Sequence, residues 1–311
     1  MMFKNSNKLL MANFGAVWKT LLYFIIVFGV IIGVVAPVYS NLINHFNASG
    51  DLSNLFKTAI SLNVSSDLFG MISEIFATFN SIIANFFILF KTQTFLAIYL
   101  TFILFYLIPF LFNLASLPLE ETLFGFMSSL TKYSFTHAYI RKFGKSILIQ
   151  LFKTLILLPF NIFILYVDFK LLSLYYLPNM IYFLPFVILV TTCALLAIKE
   201  TFLSGWIPAV VVYNYNMFKA FDLGIKAVFR RFGRAFSTAF VIIFLFFVAT
   251  YILTPCSAVI TFPVLFVVIN IFEMVMFYGS QGMKYYVDLD TIVSPKRLAE
   301  VDSFRKVKDL I

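Results

Sequence analysis

Glu273 and Asn270 are the residues of this chain whose types and spacing could do chemistry. They stand three positions apart in a long apolar run, and a helix places such residues on one face. An acidic group at the depth of the lipid tails costs about 3 kcal/mol, so it usually marks a binding site or an ion pair. With Asn161 of an earlier apolar run, the two predict an intramembrane polar site for a proton or a cation. The competing interpretation is structural, with Glu273 near the cytoplasmic end of its span and paired to a Lys or Arg from a basic elbow that precedes another span.

Residues for other kinds of catalysis are sparse. The two histidines, His45 and His137, fall on opposite sides of the predicted membrane topology and cannot share a site. The sequence has no Gly-rich loop with the lysine of a phosphate site. Glu121 and Glu200 follow apolar runs and are interpreted as helix caps or partners of basic residues at the interface. We therefore expect no catalytic residues, no metal, no cofactor and no enzymatic activity.

Composition identifies the elements that must position these residues. The chain has 311 residues, of which 62% are hydrophobic and 12% are charged. Soluble domains are about 25% charged, and a soluble fold with this composition would expose large apolar patches. The formal charge of +9 lies between apolar runs, where membrane topology explains it better than nucleic-acid binding does. The sequence therefore predicts an integral membrane protein that does not bind nucleic acid.

Six apolar runs are long enough for a spanning helix, which needs about 20 residues. The runs cover residues 20–40, 94–114, 146–167, 177–198, 235–253 and 258–279. The expected fold class is all-α, a polytopic membrane helix bundle of six spans. Prolines lie within four of the runs, at Pro109, Pro159, Pro185 and Pro263, where we expect tolerated kinks.

Lys and Arg residues are distributed unevenly between the two sides of such a bundle. With the amino terminus inside, nineteen lie in inside segments and three in outside segments. Basic residues favour the cytoplasmic side, so both termini are predicted to be cytoplasmic in a cell membrane. Lys153 falls inside the third span, and its amine is expected to extend to the membrane surface.

Two segments leave alternatives open. Residues 70–90 have apolar residues at helical spacing with polar interruptions, which favours an amphipathic helix on the outer surface. A seventh span is the alternative there. The first apolar run also resembles a signal peptide with a cleavage site near residues 38–40. Its length and Pro37 favour an uncleaved first span.

A short basic motif recurs before the outward-going spans. It reads Arg141-Lys142-Phe143-Gly144-Lys145 before the third span, Arg230-Arg231-Phe232-Gly233-Arg234 before the fifth, and more weakly Asn13-Phe14-Gly15 before the first. A second echo, Glu121-Thr122-Leu123 and Glu200-Thr201-Phe202, follows the second and fourth spans. Basic residues bind an anionic leaflet by about 1 kcal/mol each, and Gly permits a bend. The pattern predicts three tandem helical hairpins, each entered through a membrane-interface elbow from an in-plane cytoplasmic helix.

The connections and the tail contain basic amphipathic segments. Residues 218–232 mix Phe and aliphatic residues with Lys and Arg, which suits a membrane surface. We therefore divide the chain into a transmembrane domain, residues 1–283, with an extracytoplasmic loop at about 41–93, and a cytoplasmic basic amphipathic tail, residues 284–311. The expected partners are a lipid bilayer with an anionic cytoplasmic leaflet and another membrane protein.

One stretch of the chain has a familiar order of residues. Trp206-Ile207-Pro208-Ala209 is followed by Lys219-Ala220 and then by Arg230-Arg231-Phe232-Gly233. This order resembles two uncharacterised bacterial polytopic families, the YesL-like proteins and the membrane domain associated with glycerophosphodiester phosphodiesterases. The resemblance implies a bacterial cytoplasmic-membrane protein, and it transfers no catalytic residues to this chain.

Three classes of function fit these observations. The expected one is a non-enzymatic multi-pass membrane protein that scaffolds, assists or regulates a membrane system. The alternative is a transporter of a small solute, an ion or a lipid that uses Glu273. The third is a lipid-modifying membrane enzyme, which the shortage of His and of paired carboxylates disfavours.

Overall fold

The protein is an all-α membrane helix bundle. The computed structural model describes residues 2–48, 94–128, 134–174, 183–253 and 258–285, together with residue 287 and isolated positions between 50 and 92. Within these ranges every regular element is helical. Six helical segments are long and apolar enough to cross a membrane, which confirms the predicted multi-pass architecture.

The described residues form a series of α-helices. Their bounds are α1 Met2–Ala12, α2 Gly15–Ala48, α3 Thr94–Phe102, α4 Ile108–Asn113, α5 Ser116–Met127, α6 Phe135–Ser173, α7 Leu184–Leu203, α8 Trp206–Tyr213, α9 Met217–Phe229, α10 Phe232–Leu253 and α11 Ala258–Ser280. A π-helical turn, Ile103–Leu107, joins α3 to α4. The helix α2 runs to Ala48, so it extends into the segment expected to form the extracytoplasmic loop.

The helices fall into two compact units. The first unit comprises the described residues within 1–26, 110–155 and 193–311, and the second those within 27–109 and 156–192. The first unit therefore contains the starts of α2 and α6 and the end of α7. In the second unit, the Tyr99 hydroxyl donates to the Val34 carbonyl at 2.8 Å, and the Thr192 hydroxyl donates to the Asp168 carboxylate at 2.7 Å.

The helix α11 forms the centre of the first unit. It packs against α1, α5, α8, α9 and α10. Within its most apolar window 61% of residues are buried, against 17–28% for the other five spanning segments. Since lipid tails are as apolar as the core, close van der Waals packing rather than water exclusion holds such a central helix in place.

Prolines shape the spans in different ways. Pro109 cannot donate a helical hydrogen bond, and the chain next to it is wound as a π turn in which the Ile108 N–H bonds to the Ile103 carbonyl. Pro159 and Pro263 lie inside continuous helices. Pro185 is the second residue of α7, where no helical N–H is needed, so the kink expected there is absent.

Two spanning segments break and restart in the same way. After α4 the chain turns at Leu114 and Ala115, and α5 begins with Ser116 and has Pro118 as its third residue. After α7 the chain turns at Ser204 and Gly205, and α8 begins with Trp206 and has Pro208 as its third residue. Both short helices are mostly buried. The predicted correspondence between Glu121 and Glu200 does not match these two breaks. Glu121 lies after the break in its segment, whereas Glu200 lies before the break in its own.

The helices α8 and α9 form a tight hairpin. Asn214 ends α8 in the left-handed conformation with φ 52°, and the Trp206 indole N–H donates to the Met217 carbonyl at 3.0 Å. A Cβ atom on Gly205 would lie 2.4 Å from the carbonyl oxygen of Gly224, so the two backbones touch. The buried face of α9 consists of the small residues Ala220, Gly224, Ala227 and Val228.

The three basic elbows differ in local structure. The chain turns between α1 and α2 at Asn13 and Phe14, and between α9 and α10 at Arg230 and Arg231. In contrast, α6 continues without a break through residues 141–145. The bend expected at Gly144 is therefore absent, and that copy of the motif lies on the side of a straight helix.

Other expectations fall outside the described residues. Most of residues 70–90 and all of the tail beyond residue 287 belong to this part of the chain. The surface helix, the seventh span and the amphipathic character of the tail therefore stay predictions.

Candidate polar site within the spanning helices

Glu273 forms a buried ion pair. It lies on α11 with 2% of the residue exposed, and its Oε1 is 3.6 Å from the Lys153 Nζ of α6. Lys153 is itself 6% exposed, so its amine points into the protein instead of extending to the membrane surface as expected. A basic partner for Glu273 was one of the two interpretations, but the partner belongs to the third span and not to an elbow.

A second carboxyl group lies beside this pair. Glu120 of α5 is fully buried, and its carboxyl is adjacent to that of Glu273 and within the field of the Lys153 ammonium group. Among the described residues, neither Glu120 oxygen has a donor within reach other than a proton shared with the adjacent Glu273 carboxyl. We call Glu120, Lys153 and Glu273 the charged trio. If all three are ionised, the trio has one negative charge in excess.

The buried face of α6 is polar along two turns. Ser146, Gln150, Lys153 and Thr154 are all buried, and their spacing of four, three and one residues places them on one side of the helix. The Ser146 hydroxyl donates to the Leu114 carbonyl at 2.6 Å. This carbonyl is the one that Pro118 leaves without a helical donor, so the contact fixes the break before α5 against α6.

Gln150 links α6 to the start of α5. Its Nε2 donates to the Ser116 hydroxyl oxygen at 2.6 Å, and the Ser116 hydroxyl donates to the Asn113 carbonyl at 2.7 Å. Because that hydroxyl has only one hydrogen, the Gln150 amide must present its nitrogen to Ser116. Its Oε1 then faces away, and this buried oxygen has no partner among the described residues.

The Asn270 amide on α11, like that of Gln150, has a bonded nitrogen and an oxygen without a partner. Its Nδ2 donates to the Phe266 carbonyl at 2.8 Å, and a carbonyl can only accept, so the orientation of the amide is fixed. The remaining oxygen, Oδ1, is buried and has no partner within the described part of the chain. Asn270 therefore lies one turn from Glu273, as predicted. Asn161 belongs to the second compact unit, whereas the group that contacts Glu273 is Lys153.

The remaining acidic residues have partners nearer the helix ends. Glu121 lies 3.8 Å from the Lys142 amine, which matches its interpretation as a partner of an elbow residue. Glu200 lies 3.3 Å from the Lys199 amine and also acts electrostatically on Lys153. The elbow residue Lys145 donates to the Asn214 side chain at 3.3 Å. Arg141, Arg230 and Arg234 are exposed.

Sequence reasoning missed Glu120 and the role of Lys153. Glu120 is not singled out by the sequence, because it stands beside Glu121 at the end of an apolar run, where acidic residues are typical of the membrane interface. A usable signal was present on α6, where Ser146, Gln150, Lys153 and Thr154 repeat at helical spacing within a span. A polar stripe inside a spanning helix predicts an acidic or polar partner on a neighbouring helix.

The oxygen atoms of this site suit a proton or a hard cation. Across the described ranges, no group of three or more His, Cys, Asp and Glu residues could hold a metal ion, so a site of the zinc type does not form there. Carboxylate and amide oxygens are ligands of hard cations, and a carboxylate pair can also hold a proton.

Comparisons with known proteins add no further constraint. The chain matches no family model, no curated protein and no solved structure. The resemblance to the YesL-like proteins and to the phosphodiesterase-associated membrane domain stays a prediction.

Proposed function

We propose that this protein is a membrane transporter whose cycle depends on the charged trio of Glu120, Lys153 and Glu273. The observation that supports this most is the convergence of three ionisable side chains, each no more than 6% exposed, from three different spanning segments. Charged groups are costly at this depth, and those that do occur there typically belong to ion pathways or proton relays.

The charge balance of the trio supports coupling to an ion. Lys153 compensates one carboxylate, and the second needs a proton or a cation whenever it is buried. Because both carboxyl groups act on the same amine, binding of an ion at Glu120 leaves Lys153 on Glu273, and release of the ion lets Lys153 bridge the two. An ion that changes the partner of a buried lysine between helices can bias their packing.

The predicted surroundings complete this proposal. The membrane is a cell membrane with both termini on the cytoplasmic side, and the basic elbows bind its anionic leaflet. Lys219 and the neighbouring Phe218 are both exposed at the start of α9, a combination that suits an interface between headgroups and acyl chains.

An accessory role for another membrane protein is the second candidate. The observation in its favour is the 3.6 Å contact between Lys153 and Glu273, since a compensated buried ion pair can be purely structural. In this case the uncompensated Glu120 would be held neutral and the trio would bind no ion during function.

The test is ion flux in liposomes that contain the purified full chain. Gradients of protons, Na⁺ and K⁺ are imposed in turn, first without added solute and then with pools of small solutes. We expect ion movement with wild type and movement no faster than in empty liposomes with Glu120→Gln and Glu273→Gln. Glu121→Gln is the matched control, because it changes the neighbouring acid that pairs with Lys142.

Two results would contradict transport. Wild type that moves no ion under any gradient would favour the accessory role, and the search would turn to co-purifying membrane proteins. Equal flux in wild type and in the Glu120 and Glu273 variants would remove the trio from the transport cycle.

A further inference from the structure

Four buried oxygen atoms in and next to the charged trio have no donor among the described residues, apart from a proton that Glu120 can share with Glu273. They are the two carboxyl oxygens of Glu120, Oε1 of Gln150 and Oδ1 of Asn270. Glu120 and Gln150 are fully buried, and Asn270 is 3% exposed. Each unpaired buried acceptor costs about 1–3 kcal/mol, and charged groups cost more, so a group of them favours binding of a donor or a cation.

Contacts among three helices place these side chains in one region. Gln150 bonds to Ser116, which lies one turn before Glu120 on α5. Gln150 also lies one turn before Lys153 on α6, and Asn270 lies one turn before Glu273 on α11. Since Lys153 contacts Glu273 and the Glu120 carboxyl is adjacent to that of Glu273, each amide belongs to a residue one helical turn from a member of the trio.

The four oxygens cannot all be given donors by flipping an amide or by adding a proton. Each NH₂ group already donates one of its two hydrogens, to the Ser116 hydroxyl and to the Phe266 carbonyl, so neither amide can exchange the positions of its nitrogen and oxygen without breaking that bond. A proton shared by the adjacent carboxyls of Glu120 and Glu273 supplies only one new donor. Both amide oxygens cannot be satisfied in this way together with the second oxygen of Glu120.

We propose that Glu120, Gln150 and Asn270 bind a monovalent alkali cation beside the Lys153–Glu273 ion pair. A metal cation accepts several oxygen ligands at once, and carboxylate and amide oxygens are hard ligands. The excess charge of the ionised trio is one negative charge, which one monovalent cation neutralises. A divalent cation would leave the buried site with a positive charge.

This inference rests on the proposed transport function for its role but can be tested without transport. In a transport cycle the alkali cation is the coupling ion, and its arrival keeps Lys153 on Glu273. Its binding is measurable on the detergent-purified full chain as a cation-dependent rise in Tm, because a ligand that binds only the folded state stabilises it.

The experiment compares NaCl, LiCl and KCl with choline chloride at constant ionic strength and pH. Choline is a bulky quaternary ammonium ion that cannot accept buried side-chain oxygens as direct ligands. We expect a saturable rise in Tm with at least one alkali cation, and no saturable rise with choline. In Gln150→Leu and Asn270→Leu the half-saturating concentration increases, and in Glu120→Gln the saturable rise is lost.

Two further variants keep the result interpretable if these proteins fold poorly. Glu120→Asp retains the charge on a shorter side chain, and we expect it to bind the same cation at a higher half-saturating concentration. Gln281→Leu removes an amide that bonds to Ser280 at the end of α11, and it should bind as wild type does.

Equal Tm shifts with choline and all alkali cations would overturn the cation site. A saturable shift that persists in Glu120→Gln would also overturn it. Proton flux together with the absence of alkali-specific binding would keep the transport function and replace the cation by a proton. Alkali-specific binding without any flux would keep the site and overturn transport.

Discussion

The segments 114–145 and 204–234 are built alike but carry different chemistry. Each begins where a spanning helix breaks and continues into a short buried helix with proline as its third residue. Five residues after the break, the first segment has Glu120 and the second has Val210. The comparison indicates that the broken helix serves packing in both segments. Only the first segment also has a buried acidic residue, Glu120, at this position.

The two breaks are also stabilised differently. In the first segment a side chain stabilises the break, because the Ser146 hydroxyl donates to the Leu114 carbonyl, which Pro118 leaves without a helical donor. In the second segment a backbone contact stabilises the break, because the main chains of Gly205 and Gly224 touch. A side-chain contact leaves room for polar neighbours, whereas a backbone contact between glycines tolerates no added atom.

The largest expected effect follows from this backbone contact. Gly205→Ala places a Cβ 2.4 Å from the Gly224 carbonyl oxygen, and neither backbone can move without separating α8 from α9. We expect destabilisation by about 3 kcal/mol or more. The measurement is thermal unfolding in detergent, read together with the fraction of monodisperse protein on size exclusion.

Gly144→Ala is the matched control for this substitution. No other side chain or distant backbone atom of the described residues lies within 4 Å of its Cβ position, and α6 is continuous there. Ala in a helix interior is favoured over Gly by about 1 kcal/mol, so this variant should be as stable as wild type or more so. Equal losses of stability for the two variants would show that α8 and α9 can move apart enough to accept the added Cβ atom.

The second effect concerns the charged trio of the first segment. Lys153→Met leaves two buried carboxyl groups without their ammonium partner, and we expect a loss of about 3 kcal/mol, the lower end for a broken buried pair, because the carboxyls can take up a proton. Lys145→Met on the same helix is the control, because Lys145 is only partly buried. We expect a large fall in Tm for the first variant and a small one for the second.

A double variant sharpens this result. Adding Glu273→Gln to Lys153→Met removes the acid that lost its partner, so part of the lost stability should return. Losses that simply add would mean that the two side chains do not interact, in contradiction to the 3.6 Å contact.

Much of the fold could be predicted from the sequence because a span is encoded in a continuous run of residues. Helices α6, α10 and α11 cover the runs predicted at 146–167, 235–253 and 258–279. The charged trio could not be found in this way, because its members come from three separate runs. Which side chain faces Glu273 depends on how α5 and α6 are placed against α11, and no local pattern contains this.

The elbows show the limit of local similarity. Residues 141–145 and 230–234 match closely in sequence, yet only the second copy follows a helix break. The weaker copy at Asn13 to Gly15 does turn the chain. The turns occur where a separate amphipathic helix, α1 or α9, packs on α11 just before them, so the preceding helix and not the motif decides the bend.

The third effect transfers the charge from one segment to the other. Val210→Glu places a carboxylate in α8 at the position that corresponds to Glu120, where Val210 is 2% exposed. An isolated acid at this depth costs about 3 kcal/mol, so we expect a clear fall in Tm, and Val210→Gln should lose less. An unchanged Tm for Val210→Glu would mean that the two segments have similar electrostatic surroundings, and the contrast between them would disappear.

The smallest effect concerns lipid binding by the two elbows. The double variant Arg230→Gln with Arg231→Gln removes two basic residues, each worth about 1 kcal/mol at an anionic surface. Arg141→Gln with Lys142→Gln removes the same number, but Lys142 is already engaged by Glu121 at 3.8 Å. We therefore expect the first pair to reduce the anionic phospholipid retained during purification more than the second pair does, with Lys170→Gln as the control. Equal reductions would show that the helix break at 230–231 gives that elbow no advantage in reaching the lipid headgroups.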